Sequence, residues 1–127
     1  MINSVGAILL ISQDAKNLKD FYVDVLDIPL VDEIHDDTPL HYGCDIGAVH
    51  FAIHPAEHWP GKATPDSLSP VIALMADDLT NIIDKLGKYG IDATPADHGF
   101  ANVIAFRDPD GNHLEICLLY TSDAADD

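Results

Sequence analysis

The sequence predicts an α+β fold made of two tandem βαβββ modules. Three observations lead to this fold class. Each half contains apolar residues at helical spacing, each such stretch is followed by short segments of strand formers, and the second half closes with a β-hairpin signature. The halves match about 63 residues apart when Asp14 is aligned with Asp77, so the second module repeats the first.

The first module covers residues 1–54 and opens with an apolar run, Ser4 to Ser12, that predicts a strand. Asp14 then occupies an N-cap position. A helix is predicted after it because apolar residues recur at helical spacing, namely Ala15, Leu18, Phe21, Tyr22, Val25 and Leu26. The helix must end by Ile28, since the residue before a proline is forced out of the α conformation. Three strands are predicted to follow, at Leu30–Glu33, Leu40–Asp45 and Ala48–His54.

Residues 55–69 contain three prolines and a glycine without periodicity, which predicts a linker. The second module, residues 70–120, repeats the order of the first. Its strands are predicted at Pro70–Ala76, Ile91–Ala96, Ala101–Phe106 and His113–Leu119, and its helix contains Leu79, Ile82, Ile83 and Leu86 with Gly90 as C-cap. We expect the two modules to form one domain over residues 1–120.

The segment from Phe106 to Ile116 is the most informative motif. Its centre, Asp108-Pro109-Asp110-Gly111-Asn112, is turn chemistry, because proline fixes φ and glycine accepts a positive φ. Glu115 lies between two apolar residues of the following strand. Alternation places its side chain on the face of His113, opposite Leu114 and Ile116, so the carboxylate faces either solvent or a polar cavity.

Composition limits the functions that the chain can have. Its 127 residues carry six Lys plus Arg against 22 Asp plus Glu, a net charge of −16. This charge repels nucleic acid and anionic membranes. It is compatible with a cationic ligand, but also with a role in solubility alone. The apolar run is too short to span a membrane, and Cys44 and Cys117 form neither a disulfide framework nor a zinc motif. We therefore expect a cytoplasmic protein with free thiols.

The duplicated βαβββ pattern, Phe21-Tyr22 in the first helix and the ending F-x-DPDGN-x-x-E resemble the vicinal oxygen chelate superfamily. This superfamily includes glyoxalase I, extradiol dioxygenases, fosfomycin-resistance thiol transferases and bleomycin-resistance proteins. The resemblance covers residues 1 to about 118. It implies two four-stranded mixed sheets that form an open cup, with one helix per module on the outside, and usually a homodimer.

The resemblance also implies four metal-ligand positions, one on the first and one on the last strand of each module. They fall on Ala7, Ala52, Val71 and Glu115, and only the last has a donor atom. A shifted alignment could combine Glu115 with His50 or His54 around one divalent metal ion. These histidines lie about 13 Å apart along a strand, which is too far to bind one ion together. We therefore expect no metal cofactor, with one divalent metal ion as the alternative.

The function that we expect is metal-free binding of a small molecule in a dimer cleft, as in bleomycin-resistance proteins, with antibiotic resistance as one biological outcome. The acidic charge favours a cationic ligand. The candidate ligand-binding residues are His50, His54, Trp59, Phe106, His113 and Glu115. No catalytic residue is assigned. The alternatives are a metal-dependent lyase, isomerase or dioxygenase with a displaced ligand set, and an interaction domain whose cup binds nothing. Arg107 is the single arginine, which argues against glyoxalase-like or thiol-transferase recognition of anionic groups.

The last residues, 117–127, resemble the translation of a transposon-based sequencing adapter. On that interpretation the evolved sequence ends near Ile116. Residues 121–127 are predicted to be disordered, because they have too little apolar surface to offset the entropy of ordering. Deleting them is expected to leave stability unchanged.

Overall fold

The computed structural model describes residues 1, 3–34, 39–58, 71–97 and 102–118, and it divides into two compact units, residues 1–64 and 65–127. Each unit has the order βαβββ, so the predicted duplication is confirmed. The boundaries of one common domain stay a prediction. Trp59, most of the predicted linker and the tail from residue 119 lie outside the described residues.

The first unit contains β1 (Ala7–Ser12), α1 (Ala15–Leu26), β2 (Val31–Glu33), β3 (His41–Ile46) and β4 (Val49–Pro55). Its sheet has the order β1-β4-β3-β2. The β1/β4 pair is parallel and the other two pairs are antiparallel. Parallel neighbours cannot be joined by a tight turn, because the chain must cross back to the same end of the sheet. Here α1, β2 and β3 lie between β1 and β4 in the chain.

Helix α1 forms where the sequence predicts it, and it supplies much of the core of this unit. The Asp14 side chain caps it by accepting a hydrogen bond from Asn17 N at 3.2 Å, and Asp27 ends it in the left-handed conformation, with φ 55°. The rings of Tyr22 and Phe51 lie 5.2 Å apart between the helix and β4. The buried apolar residues of this core include Leu18, Phe21, Tyr22, Val25, Phe51 and Ile53.

The second unit contains β5 (Val71–Ala76), α2 (Thr80–Lys88), β6 (Thr94–Asp97), β7 (Asn102–Arg107) and β8 (His113–Leu118). Its sheet order, β5-β8-β7-β6, is that of the first unit, again with one parallel pair, β5/β8. Leu86, Leu114 and Ile116 are almost completely buried. Among the described residues, no helix has the length and apolar character that crossing a bilayer requires.

Two predicted boundaries were wrong. Strand β6 begins at Thr94, not at Ile91: α2 is followed by a turn in which Gly90 adopts a left-handed φ of 73°, and residues 91–93 belong to no regular element. The predicted linker also starts too early. Pro55 still pairs with Ser12 as the last residue of β4, and a short 3-10 helix follows at Ala56–His58. A proline is tolerated at such a strand end because its missing N–H interrupts no further ladder bond.

The predicted hairpin is confirmed in its register and in its turn. Strands β7 and β8 are antiparallel, with Phe106 opposite Leu114 and Arg107 opposite His113. Gly111 has the positive φ, 90°, that its position in the turn requires. Glu115 is only partly buried between the buried Leu114 and Ile116, so alternation holds through this strand.

Candidate ligand-binding faces of the two sheets

Each sheet has one face that carries most of the polar candidates. In the first unit, Phe51 and Ile53 point into the buried core, so alternation sends His50, Ala52 and His54 to the opposite face. In the second unit, Leu114 and Ile116 are buried and His113 and Glu115 occupy the other face. The predicted pairs therefore share a face within each unit. Phe106 lies opposite Leu114, on the buried face of its sheet.

The face of the first sheet holds a network of two histidines and two carboxylates. The Glu33 Oε1 atom lies 3.1 Å from His41 Nε2 and 3.2 Å from His50 Nε2. The other ring nitrogen of His50, Nδ1, lies 2.9 Å from Asp45 Oδ1. His41 Nδ1 lies 3.1 Å from the carbonyl oxygen of Pro39. The network therefore joins strands β2, β3 and β4.

His54 joins this network through a ring contact. Its imidazole stacks on that of His41, with 4.3 Å between the ring centroids and 11° between the planes. His41 is 4% exposed, so the stack covers a buried ring. His50 and His54 belong to one polar surface, and His41 lies between them in it.

The network depends on a glycine. Glu33 pairs with His41 at the sheet edge, yet its carboxylate also reaches His50 on β4. To do so, the side chain crosses β3 above Gly43. A Cβ atom at residue 43 would come within 2.6 Å of Glu33 Cδ, so only a residue without a side chain leaves room for this crossing.

The carboxylates shift the titration of their neighbours. The hydrogen bond to Asp45 raises the pKa of His50, partial burial opposes this effect, and the contact with Glu33 adds to it. Burial raises the pKa of the Cys44 thiol, and the negative charges of Asp45 and Glu33 raise it further. Cys44 is therefore an inert thiol at neutral pH, because the thiolate is the reactive form.

The second unit has an open groove of about 520 Å³. Phe106, His113 and Glu115 line it, so the structure brings three of the predicted residues together. Its charged lining is completed by Asp92 and Arg107, and its apolar lining by Val71, Ile91, Ala105 and Leu114.

The neighbours of Glu115 in the sheet leave space beside its side chain. Its neighbours across the two ladders are Ala73 and Ala105, both with side chains of one carbon. Small neighbours leave open space beside a longer side chain on the same face. Glu115 therefore has an alanine beside it on each neighbouring strand.

His113 differs from His50, although the two occupy equivalent positions in the two sheets. The ladder neighbours of His50 are Ala7 and Asp45, whereas those of His113 are Val71 and Arg107. His113 has Arg107 beside it where His50 has Asp45, so His113 lacks the carboxylate acceptor that His50 contacts. His113 Nε2 is buried, and within the described part of the chain it has no hydrogen-bond partner. A bound molecule that reached this nitrogen would relieve an unfavourable burial.

Asp108 fixes the turn that aligns this face. It is 4% exposed, and its Oδ1 atom accepts hydrogen bonds from the backbone N–H groups of Asp110 and Asn112, each at 2.9 Å. Its Oδ2 atom accepts a third from Asn112 Nδ2, also at 2.9 Å. The turn is therefore held from inside by one buried carboxylate.

The residues at the metal positions implied by the resemblance do not fit a metal ion. Ala7 and Val71 lie beside His50 and His113 in equivalent parallel pairs, and Ala52 corresponds to Glu115. Three of these four side chains have no donor atom, and a metal centre of this kind needs at least three donors. Among the described residues, no group of three or more His, Cys, Asp or Glu side chains has an arrangement that could hold a metal ion.

Sequence reasoning missed Glu33, His41 and Asp45. The signal for two of them was present: His41, Gly43 and Asp45 alternate along β3, and Gly43 and Asp45 pair with Ala52 and His50 of β4. Glu33 gave no such signal, because its contact with His50 depends on Gly43, which lies two residues after His41, the ladder partner of Glu33.

Comparison with known proteins identifies the family. The model of the glyoxalase/bleomycin resistance protein/dioxygenase superfamily matches residues 4–116, so the chain belongs to this superfamily and the predicted resemblance is confirmed. A search of curated proteins gave no significant match.

Solved structures of similar fold cover almost the whole chain. The fosfomycin resistance protein FosX from Mesorhizobium loti is 20% identical, with a TM-score of 0.67 over 98% of this chain and 99% of that chain. TnmS3, an antibiotic binding protein from a Streptomyces species, is 22% identical, with a TM-score of 0.70 over 94% and 98%. The virulence protein STM3117 from Salmonella typhimurium is 22% identical, with a TM-score of 0.68 over 94% and 99%. At these identities the likeness concerns the fold.

Proposed function

We propose that the chain binds a small cationic molecule in the groove of the second unit without a metal ion. The observation that supports this best is the lining of the groove, which combines the Glu115 carboxylate and His113, whose buried Nε2 has no hydrogen-bond partner among the described residues, with apolar residues. A groove with apolar walls and a few polar groups is the usual form of a small-molecule site.

Charge supports a cationic ligand. The groove is lined by two carboxylates, Asp92 and Glu115, against one guanidinium, Arg107. The whole chain carries a net charge of −16, and a field of that sign raises the local concentration of cations. A molecule with an amine and an aromatic or aliphatic body would use both the carboxylate and the apolar wall.

The missing donors support binding without metal, because alanine and valine at residues 7, 52 and 71 cannot coordinate an ion. The fold is also similar to that of TnmS3, whose name describes antibiotic binding. We also propose that the protein is a homodimer in the cytoplasm. Val71 and Met75, on the groove side of β5, are 53% and 60% exposed, and a second copy could cover them.

A metal-dependent lyase, isomerase or dioxygenase is the second candidate, since Glu115 keeps a carboxylate at one ligand position. The two functions are separated by elemental analysis of the purified protein together with a thermal-shift screen. The screen uses aromatic amines, each paired with its N-acetylated, uncharged form. We expect substoichiometric metal and a higher melting temperature with amines only, because a ligand that binds the native state stabilises it. One metal ion per chain, or equal shifts with both members of each pair, would contradict the proposal.

A further inference from the structure

Strand β2 is weakly attached to its sheet. It has three residues and lies at the sheet edge, where β3 is its single neighbour within the described unit. Val31 and Asp32 are exposed, and Glu33 is the one residue of this strand that is partly buried. A short edge strand with so little buried surface is among the first elements to open in a native protein. The contacts of Glu33 therefore matter more here than they would in a longer strand.

The contacts of Glu33 need more protons than neutral histidines supply. His50 presents both ring nitrogens to carboxylate oxygens, of Asp45 and of Glu33. His41 presents both to oxygen acceptors, of Pro39 and of Glu33. A neutral imidazole has one N–H group, and an imidazolium has two. For all four nitrogens to donate to these oxygens, the network needs two protons beyond those of two neutral rings.

The other described groups on this face do not provide another positive charge. Strand β1 contributes Ala7, Leu9 and Ile11 to it. The titratable groups that the described strands place on or beside it are Glu33, His41, Asp45, His50 and His54, and Cys44 on the reverse side interacts with both carboxylates. His54 stacks on His41, where a second charged ring would be repelled. Among the described groups on this face, the histidines of the network are therefore the ones that can place a positive charge beside Glu33 and Asp45.

We propose that Glu33, His41, Asp45 and His50 form a proton-dependent clamp that fastens the edge strand β2 across β3 to β4. With its protons bound, Glu33 accepts hydrogen bonds from both histidines and spans the sheet above Gly43. When these protons leave, each neutral ring keeps one N–H group, which His41 donates to the Pro39 carbonyl oxygen and His50 donates to Asp45, its shorter contact. The Glu33 oxygen then faces ring lone pairs, the bridge to β4 is lost, and the short ladder with β3 holds β2 alone. The clamp belongs to the first unit and does not depend on the proposed ligand groove.

The direction of the pH dependence follows from His50. Asp45, and then Glu33, raise its pKa above the ordinary value. A histidine whose pKa is raised by folding stabilises the native state fully at pH values below its unfolded pKa of about 6.5. This contribution disappears as the pH rises through the raised value of the folded state. The attachment of β2 should therefore weaken with increasing pH, on the alkaline side of about pH 6.5.

Amide hydrogen exchange followed by NMR tests the clamp in the intact protein. Protection factors of β2 and β4, corrected for intrinsic exchange, are compared at about pH 6 and about pH 9, on either side of ordinary histidine titration. We expect the protection of β2 to fall over this range, with a much smaller change in β4.

The substitution Gly43→Ala tests the mechanism without altering a charge. The new methyl group would occupy the place of the Glu33 carboxylate, so protection of β2 should be low at both pH values. Gly6→Ala is the matched control, since a Cβ atom there meets nothing within 4 Å, and it should behave as the wild type. Glu33→Gln provides the same test if Gly43→Ala does not fold, because it removes the charge and keeps the shape.

Three results would overturn the clamp. One is β2 protection in the wild type that does not change with pH. Another is the same pH dependence in the folded Gly43→Ala variant, or in Glu33→Gln, as in the wild type. The third is an NMR titration in which Asp45→Asn leaves the His50 midpoint where it is in the wild type.

Discussion

Replacing Asp108 by alanine should destabilise the second unit strongly. The carboxylate is almost fully buried and accepts three hydrogen bonds, two from the backbone N–H groups of Asp110 and Asn112 and one from the Asn112 side chain. Alanine removes every acceptor at once. The two N–H groups would then lie in the turn without partners, and an unsatisfied buried donor is unfavourable.

The magnitude follows from these three bonds. A hydrogen bond to a charged group contributes about 1.5–3 kcal/mol, and bonds that share one acceptor are not additive. The expected loss is therefore about 3–5 kcal/mol, a large part of the roughly 5–15 kcal/mol that stabilises a typical domain. Asp108→Asn should lose less, because the amide oxygen still accepts from the backbone while the amide nitrogen faces Asn112 Nδ2.

Urea unfolding followed by circular dichroism measures this loss. Asp78→Asn is the matched control, since Asp78 accepts one exposed hydrogen bond, from Thr80 N at 2.9 Å. Its loss should not exceed about 1 kcal/mol. If Asp108→Ala and Asp78→Asn gave similar losses, the turn would not depend on the buried carboxylate, and the explanation of the hairpin would be refuted.

Two further changes test the core and α2. Phe51→Ala should reduce the free energy of unfolding by about 3–5 kcal/mol, because this 1%-exposed ring packs on Tyr22 and its removal leaves a cavity. A loss below about 1 kcal/mol would contradict this packing. Gly87→Ala in α2 should raise the melting temperature, because alanine is favoured over glycine in a helix by about 1 kcal/mol and the new methyl group meets nothing within 4 Å. A lower melting temperature would show that the added methyl group is not tolerated.

Local chemistry made much of the fold predictable. The capping side chain of Asp14 and the proline after Ile28 bracket α1 within the sequence itself. The hairpin around Gly111 was equally clear, because its turn needs residues with special backbone conformations. Strand β6 was placed too early because the apolar pattern after Gly90 does not show where the turn ends.

The candidate site was predictable only in part, because contacts between strands depend on register. Alternation along β8 placed His113 and Glu115 on one face, and the structure agrees. It could not show that Glu33 reaches over Gly43 to a strand two positions away. Nor could it show that His50 has a carboxylate beside it and His113 a guanidinium, since these neighbours come from strands β3 and β7.

The most direct test of the proposed function is the affinity of the best amine from the thermal-shift screen for the wild type and for Glu115→Gln. Isothermal titration should show binding to the wild type that weakens in the variant by about 1.5–3 kcal/mol, the contribution of a hydrogen bond to a charged group. Glutamine keeps the shape of the side chain, and Glu57→Gln, a change outside the groove in the first unit, should leave the affinity unchanged. Equal affinity of the wild type and Glu115→Gln would contradict the account, as would stoichiometric metal in the wild type that disappears in the variant.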